Sequence, residues 1–228
     1  MVHADFQKGE LLERLRAQVA ASEARGRPAP YPAPAELSVL LDGGLKPGAA
    51  YSLGTPGALL SALLAGPSAA GYWCAVVGIP EFGAEAAAHA GVVLNRLVLL
   101  PDPADQWLAA TAALVEAVPV VAVRPSGRVG EADASRLASR LRDRGSVLLV
   151  DGAWPRAEAR LSLGEIRWTG VGAGYGCLTG REVTVTVRSR RAPVARSVRL
   201  VLPSSEGRLA PVARPAEAEP AAVLRAVG

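Results

Sequence analysis

Apolar positions change their spacing twice along this chain, and each change predicts a different kind of structure. Within residues 5–25, Leu11, Leu12, Leu15 and Val19 recur at helical spacing, which predicts an amphipathic helix stopped by Gly26. RPAPYPAPAEL (27–37) follows with four prolines, so an extended, semi-rigid linker is expected there. From Ala49 onward, short apolar runs alternate with helical patterns. AAYSL (49–53), YWCAVVG (72–78), RLVLL (96–100), VPVVAV (118–123) and SVLLV (146–150) predict strands. Residues 57–65, 83–90, 104–117 and 131–144 predict the helices between them. Runs such as VVAV and VLLV lack polar alternation, as strands buried on both faces do, so a parallel sheet covered by helices is implied.

The second change follows Leu163. GEIRWTG (164–170), REVTVTVRS (181–189) and SVRLVLP (197–203) alternate apolar with polar residues, and no helical pattern separates them. They predict antiparallel strands that extend the sheet, with one apolar face and one wet face. After Pro203 the chain is rich in Ala, Pro and Glu, and a disordered tail is expected. Its last apolar run, AAVLRAV (221–227), offers one turn to a partner. The predicted architecture is α/β: a mostly parallel central sheet flanked by helices over residues 36–202, extended by antiparallel strands on its C-terminal side. Residues 1–35 form a helix and linker, and residues 203–228 the tail.

With 228 residues, 50% hydrophobic and 20% charged, the chain can bury a sizeable core. No apolar run reaches the length of a membrane span. Met1–Glu10 lacks the basic-then-apolar pattern of a signal peptide, so a cytoplasmic protein is expected. Cys74 and Cys177 are the only cysteines, and His3 and His89 the only histidines. Neither histidine lies near a cysteine in sequence, so buried thiols are expected, with no metal site. The net charge is +4, which permits nucleic-acid contact without demanding it.

One stretch raises a chemical question. GTPGALLS (54–61) lies where a predicted strand turns into a helix, the setting of a phosphate-binding loop, G-x-x-x-x-G-K-[ST]. Gly54 and Ser61 fit that pattern, and Gly57 lies inside it. Leu59 replaces the second glycine and Leu60 the lysine. In an intact loop, backbone N–H groups and a helix N-terminus face the phosphates. The group that neutralises phosphate charge is gone, and Lys46 stands at the far end of the preceding strand.

Three collinear stretches resemble RecA. LSVLLDGGLKPGAAYSLGTPG (37–57) compresses RecA's lead-in to its loop, with Leu41, Asp42, Gly43, Gly44, Leu45 and Gly48 in matching places. AGVVLNRLVLLPDP (90–103) and REVTVTVRSRRAP (181–193) follow in order, the latter with Arg188, Ser189 and Arg190 at the place of RecA's K-N-K. The resemblance implies a RecA-like core whose catalytic places are empty. Arg124 stands where the Mg²⁺-binding aspartate would be. Glu81 lies near the place of the catalytic glutamate but reads as an exposed acidic helix start, and Asp151 reads as a strand-end residue. The two DNA loops would be compact, at 124–131 and 152–163, carrying Arg124, Arg128, Arg156 and Arg160. GVGAGYG (170–176) reads as a turn, since predicted antiparallel strands flank it.

A short, Arg-rich RecA relative without ATPase residues resembles the ImuA group, in particular its ImuA-prime branch. Membership would imply a non-catalytic scaffold without cofactor in a damage-induced mutagenesis complex. Its partners would be ImuB, which is an inactive Y-family polymerase relative, an error-prone C-family DNA polymerase, and RecA itself, with the complex on the nucleoid. DNA binding would be weak or indirect. The resemblance further implies that Leu11, Leu12, Leu15 and Val19 serve self-association or docking. Arg181, Arg188, Arg190, Arg191, Arg196 and Arg199 would form a basic patch, with Arg188 and Arg190 projecting together from one strand. Two other readings stay open: a SulA-type division inhibitor that binds FtsZ, and an ATP-dependent recombination mediator, which would need a lysine at position 60.

Overall fold

A computed structural model describes residues 28–169, 180–192 and 194–212. Leu11, Leu12, Leu15, Val19, the GVGAGYG run, Cys177 and the AAVLRAV run lie outside the described residues. The chain divides into two units, Met1–Pro30 and Tyr31–Gly228, and every element with a described backbone lies in the second.

The elements alternate as their apolar runs predict. After α1 (Ala35–Leu40) come β1 (Ala50–Leu53), α2 (Gly57–Ala69), β2 (Cys74–Val77), α3 (Ala84–His89) and β3 (Leu97–Leu100). Then follow α4 (Trp107–Ala117), β4 (Val120–Val123), α5 (Glu131–Arg144) and β5 (Val147–Asp151). The chain then turns to long, helix-free strands: β6 (Ala159–Thr169), β7 (Gly180–Ser189), β8 (Arg196–Val201) and the short β9 (Ala210–Pro211). Among the described residues these strands form one sheet in the order β3-β2-β4-β5-β1-β6-β7-β8-β9. From β3 to β6 every pairing is parallel, and from β6 to β9 every pairing is antiparallel.

Strand alternation sorts the core into two layers. On one face Tyr51, Leu53, Val76, Ala122 and Leu149 pack with Leu59, Leu60, Leu63 and Leu64 of α2. On the other, Ala75, Val77, Val121, Val123, Leu148 and Val150 pack with Val115 of α4 and Leu137 and Leu141 of α5. The two layers shape their helices differently. α2 is buried along most of its length, whereas α5 buries only Ala134, Leu137 and Leu141. The ends of α5 follow helix electrostatics, with Glu131 and Asp133 in the first turn, Arg142 and Arg144 in the last, and left-handed Gly145 as its stop. Cys74 lies in the first layer as the buried thiol expected of it, and burial pushes its pKa up to about 12.

Three expectations are corrected. The proline-rich stretch is not wholly a linker. Tyr31 and Leu45 exchange backbone hydrogen bonds of 2.8 and 2.9 Å, and Ala35–Leu40 is helical because Leu37 and Leu40 can be buried on one side once the prolines end. Residues 152–163 are not wholly a loop. Ala159, Arg160 and Leu161 pair in parallel with Tyr51, Ser52 and Leu53, and the inward side chains of Ala159 and Leu161 fix that register. Residues 203–212 are not tail. A turn closed by Ser204 and Arg208 (2.8 Å) leads into β9, which pairs with β8, and Leu202 and Leu209 pack on the core. Gly207 has φ +78°, and a Cβ there would lie 2.8 Å from that of His89, so the turn fits against α3 only without a side chain at this position.

Candidate functional site

Ligands of open α/β sheets bind beyond the carboxyl ends of the parallel strands. Here the segments leaving β1, β2, β4 and β5 end there. After β1 the chain passes through Gly54, Thr55 and Pro56 and enters α2 at Gly57, and no side chain caps the helix. Pro56 has no N–H to offer a phosphate. Leu59 is 0% exposed and Leu60 2%, so the two residues that replace the loop's glycine and lysine are committed to the core. Ser61 lines the neighbouring cavity. Lys46 is bound elsewhere, 2.8 Å from Glu158 at the opposite end of β1.

The polar centre of this region is Arg124, the first residue after β4. Its Nε donates to the carboxylate of Asp151 at the end of β5, and its guanidinium pairs at 2.5 Å with Glu81 in the segment after β2. The hydrogen bond from Arg124 holds the Glu81 carboxyl below the usual range. Glu81 in turn raises the pKa of Arg124. The backbone fixes the arrangement: Arg124 N–H donates to Val77 O at 3.0 Å. Gly78 has φ +70°, and a Cβ there would lie 2.6 Å from Arg124 O. Arg124 thus pairs with two carboxylates at once, Glu81 and Asp151. Among the described residues no group of three or more Asp, Glu, His or Cys is placed to hold a metal ion.

Beside this bridge lies a cavity of about 560 Å³. The start of α2 (Pro56, Gly57, Ala58), Ile79, Phe82, Ala86 of α3 and the turn at Pro203 and Gly207 surround it, with Glu81 and Arg124 in its wall. Its lining is mainly apolar, unlike a phosphate site, where charge must be met by charge.

Of the six arginines expected to form a basic patch, five have partners within the fold. Arg196 donates to Asp42 (2.8 Å) and Leu40 O (2.7 Å). Arg191 pairs with Glu158 at 3.5 Å, and Arg199 with Glu182 at 3.9 Å. Arg181 donates to Leu202 O and lies 5.5 Å from the ring centre of Trp168. β7 ends at Ser189, so the alternation that would project Arg188 and Arg190 together stops between them. Arg190 donates to Arg156 O at 3.2 Å, while Arg188 lies across from Arg160 of β6. Of the other loop arginines, Arg156 pairs with Glu131 at 3.3 Å, and Arg128 lines a separate open cleft beside Trp154. Sequence reasoning missed the bridge at Arg124. Its signal was present, since Arg124, Asp151 and Glu81 each follow a buried apolar run, but the strand order that brings three run-ends together is not written in the sequence order.

The sheet order, the parallel core and the antiparallel extension define a RecA-like fold. A crystal structure of the RadB recombinase has this fold, with a TM-score of 0.60 at 18% identity over 78% of this chain and 97% of that one. Residues 38–156 match the MT3502 N-terminal domain family, and the chain belongs to that family. It is similar to the uncharacterized protein Rv3395c of Mycobacterium tuberculosis, 36% identical over 120 residues that make up 52% of this chain and 59% of the relative. No described helix is long and apolar enough to cross a membrane.

Proposed function

We propose that this protein is a non-catalytic, RecA-like accessory subunit of a damage-induced translesion synthesis complex, of the ImuA kind. The observation that carries the reading is the Arg124 bridge between Glu81 and Asp151, at a loop whose Leu59 and Leu60 are buried. Phosphoryl transfer needs a lysine on the phosphates, a carboxylate and a hydroxyl on Mg²⁺, and a group that positions the attacking water. Here two carboxylates share one guanidinium, and the two informative loop positions are part of the core. Such a sheet keeps the RecA-like shape and offers a surface in place of a reaction.

In this reading the partners are ImuB, an error-prone C-family polymerase and RecA, with no cofactor, in the cytoplasm and on the nucleoid when assembled. Leu11, Leu12, Leu15 and Val19 dock on a second copy or on RecA. The immobilised full chain, offered an equimolar mixture of purified ImuB and FtsZ, is expected to retain ImuB. Retention of FtsZ alone would replace this reading with a SulA-type role.

A further inference from the structure

The cavity beside the Arg124 bridge is a built feature of the fold. Its walls come from separate parts of the chain, and each is tied down. Leu60 and Ile79 of its lining are 2% and 6% exposed. Ala87 fixes α3 to the core. Leu202 and Leu209, on either side of the turn at Pro203 and Gly207, pack on the core, and Gly207 fits against His89.

The lining decides what fits. Glu81 and Arg124 in the wall pair with each other, and most of the remaining lining is apolar. The volume of about 560 Å³ falls in the range of binding clefts, about 300–1,000 Å³, and open apolar surface of this kind marks a docking place. The charges next to the lining are not balanced. Glu85 precedes Ala86 and Glu206 precedes Gly207, both acids are exposed, and among the described residues neither has a cation within ion-pair distance. Arg208 sets one positive charge against these two. An occupant with an apolar body and a positive edge fits such a place.

The chain carries one within reach. After Val212 its only large apolar residues are Val223, Leu224 and Val227, and Arg225 lies among them. Val212 follows Gly207 by five residues, so the two are at most about 18 Å apart, whereas the twelve residues from Val212 to Leu224 can span about 40 Å. The stretch between, with Pro215, Glu217, Glu219 and Pro220, serves as a polar tether. Tethering of this kind supplies an effective concentration on the order of 1 mM, so a weak contact is enough. We propose that residues 223–227 dock in this cavity of the same chain, with Leu224 among the apolar lining and Arg225 toward Glu85 and Glu206. The tail then closes the degenerate site, and any other apolar segment has to displace it. The inference goes beyond the accessory role proposed above and does not rest on it; ImuB retention and tail docking are read separately.

The test is fluorescence anisotropy of a labelled peptide of residues 213–228 with two full-length proteins, the parent and Leu224→Asp. The variant, whose own tail no longer docks, is expected to bind the peptide with a Kd on the order of 100 μM, and the parent about tenfold more weakly, because its own tail competes. A peptide carrying Leu224→Asp should not bind either protein, and this control needs no change to the fold. Ala86→Trp added to the Leu224→Asp protein should block the peptide; Ala86 is exposed, so the larger side chain is expected to leave the melting temperature unchanged. No binding to the Leu224→Asp protein overturns the site. Equal binding to both proteins overturns the docking of the chain's own tail, and binding that survives Ala86→Trp in a folded protein overturns the cavity as its place. Light scattering that shows a dimeric parent and a monomeric Leu224→Asp protein assigns the cavity to a second copy's tail and overturns docking within one chain.

Discussion

Arg124 and Arg188 bring the same guanidinium to two regions of one sheet and meet opposite surroundings. Arg124 ends a parallel strand and is bridged by two carboxylates. Arg188 lies within an antiparallel strand and faces another arginine. Both reach solvent, so exposure does not separate them; what opposes each charge does. Without Arg124, Glu81 and Asp151 would lose their shared counter-charge, and the Asp151 side chain is only 13% exposed. Without Arg188, a repulsion disappears. The first charge belongs to the fold, and the second is free to meet something else.

Rebuilding the loop should damage the protein most. Leu59→Gly with Leu60→Lys opens a hole in the core and places a charge where leucine is 2% exposed. The expected loss is about 4 kcal/mol or more, read as a fall in the urea midpoint. The same variant should gain no ATP turnover, since Arg124 still bridges Glu81 and Asp151. Turnover in this variant would mean that the loop alone was limiting and that the bridge is incidental.

The next effect is smaller. Arg124→Leu leaves Asp151, whose side chain is 13% exposed, without its cation and should cost about 2 kcal/mol, below the usual figure for a buried pair because the arginine is partly exposed. Arg188→Ser should fall within about 0.5 kcal/mol of the parent, or above it. Equal losses at the two positions would erase the distinction.

Most of the parallel core could be read from the sequence for a simple reason. AYSL, CAVV, VVAV and VLLV are short, mostly apolar runs bounded by turn residues, the pattern of strands buried on both faces. The parts that could not be read depend on partners distant in the chain. Ala159–Leu161 follows a segment with proline and charge, and only pairing with β1 makes it a strand. The turn at Gly207 looks like tail by composition and is ordered by fitting against His89. The partners of the arginines were hidden in the same way. Spacing put six arginines close together in sequence, but Asp42, Glu158 and the carbonyls of Leu40, Arg156 and Leu202, which occupy four of them, come from elsewhere in the chain.

The smallest effect is a pH dependence. The folded Glu81 carboxyl titrates below its unfolded value because Arg124 donates to it, and Asp42 does the same because of Arg196. A depressed carboxyl contributes stability that is fully present above the unfolded value, about 4.3 for Glu and 3.9 for Asp, and lost as the pH falls through the folded value. Urea midpoints should therefore be flat from neutral pH down to about 5 and decline below that. Arg124→Leu should remove the Glu81 part of the decline and leave the Asp42 part. An identical acid limb in parent and variant would place the coupling elsewhere.

On the proposed non-catalytic reading, the Arg124 bridge and the buried Leu59 and Leu60 stand where a phosphate and its metal would be held. Isothermal titration of Mg²⁺-ATP into the full chain, with phosphate release followed on the same sample, is the decisive experiment. No saturable binding and no turnover above a buffer control are expected. Turnover that disappears in Ser61→Ala or Glu81→Gln protein, with circular dichroism showing both still folded, would contradict it.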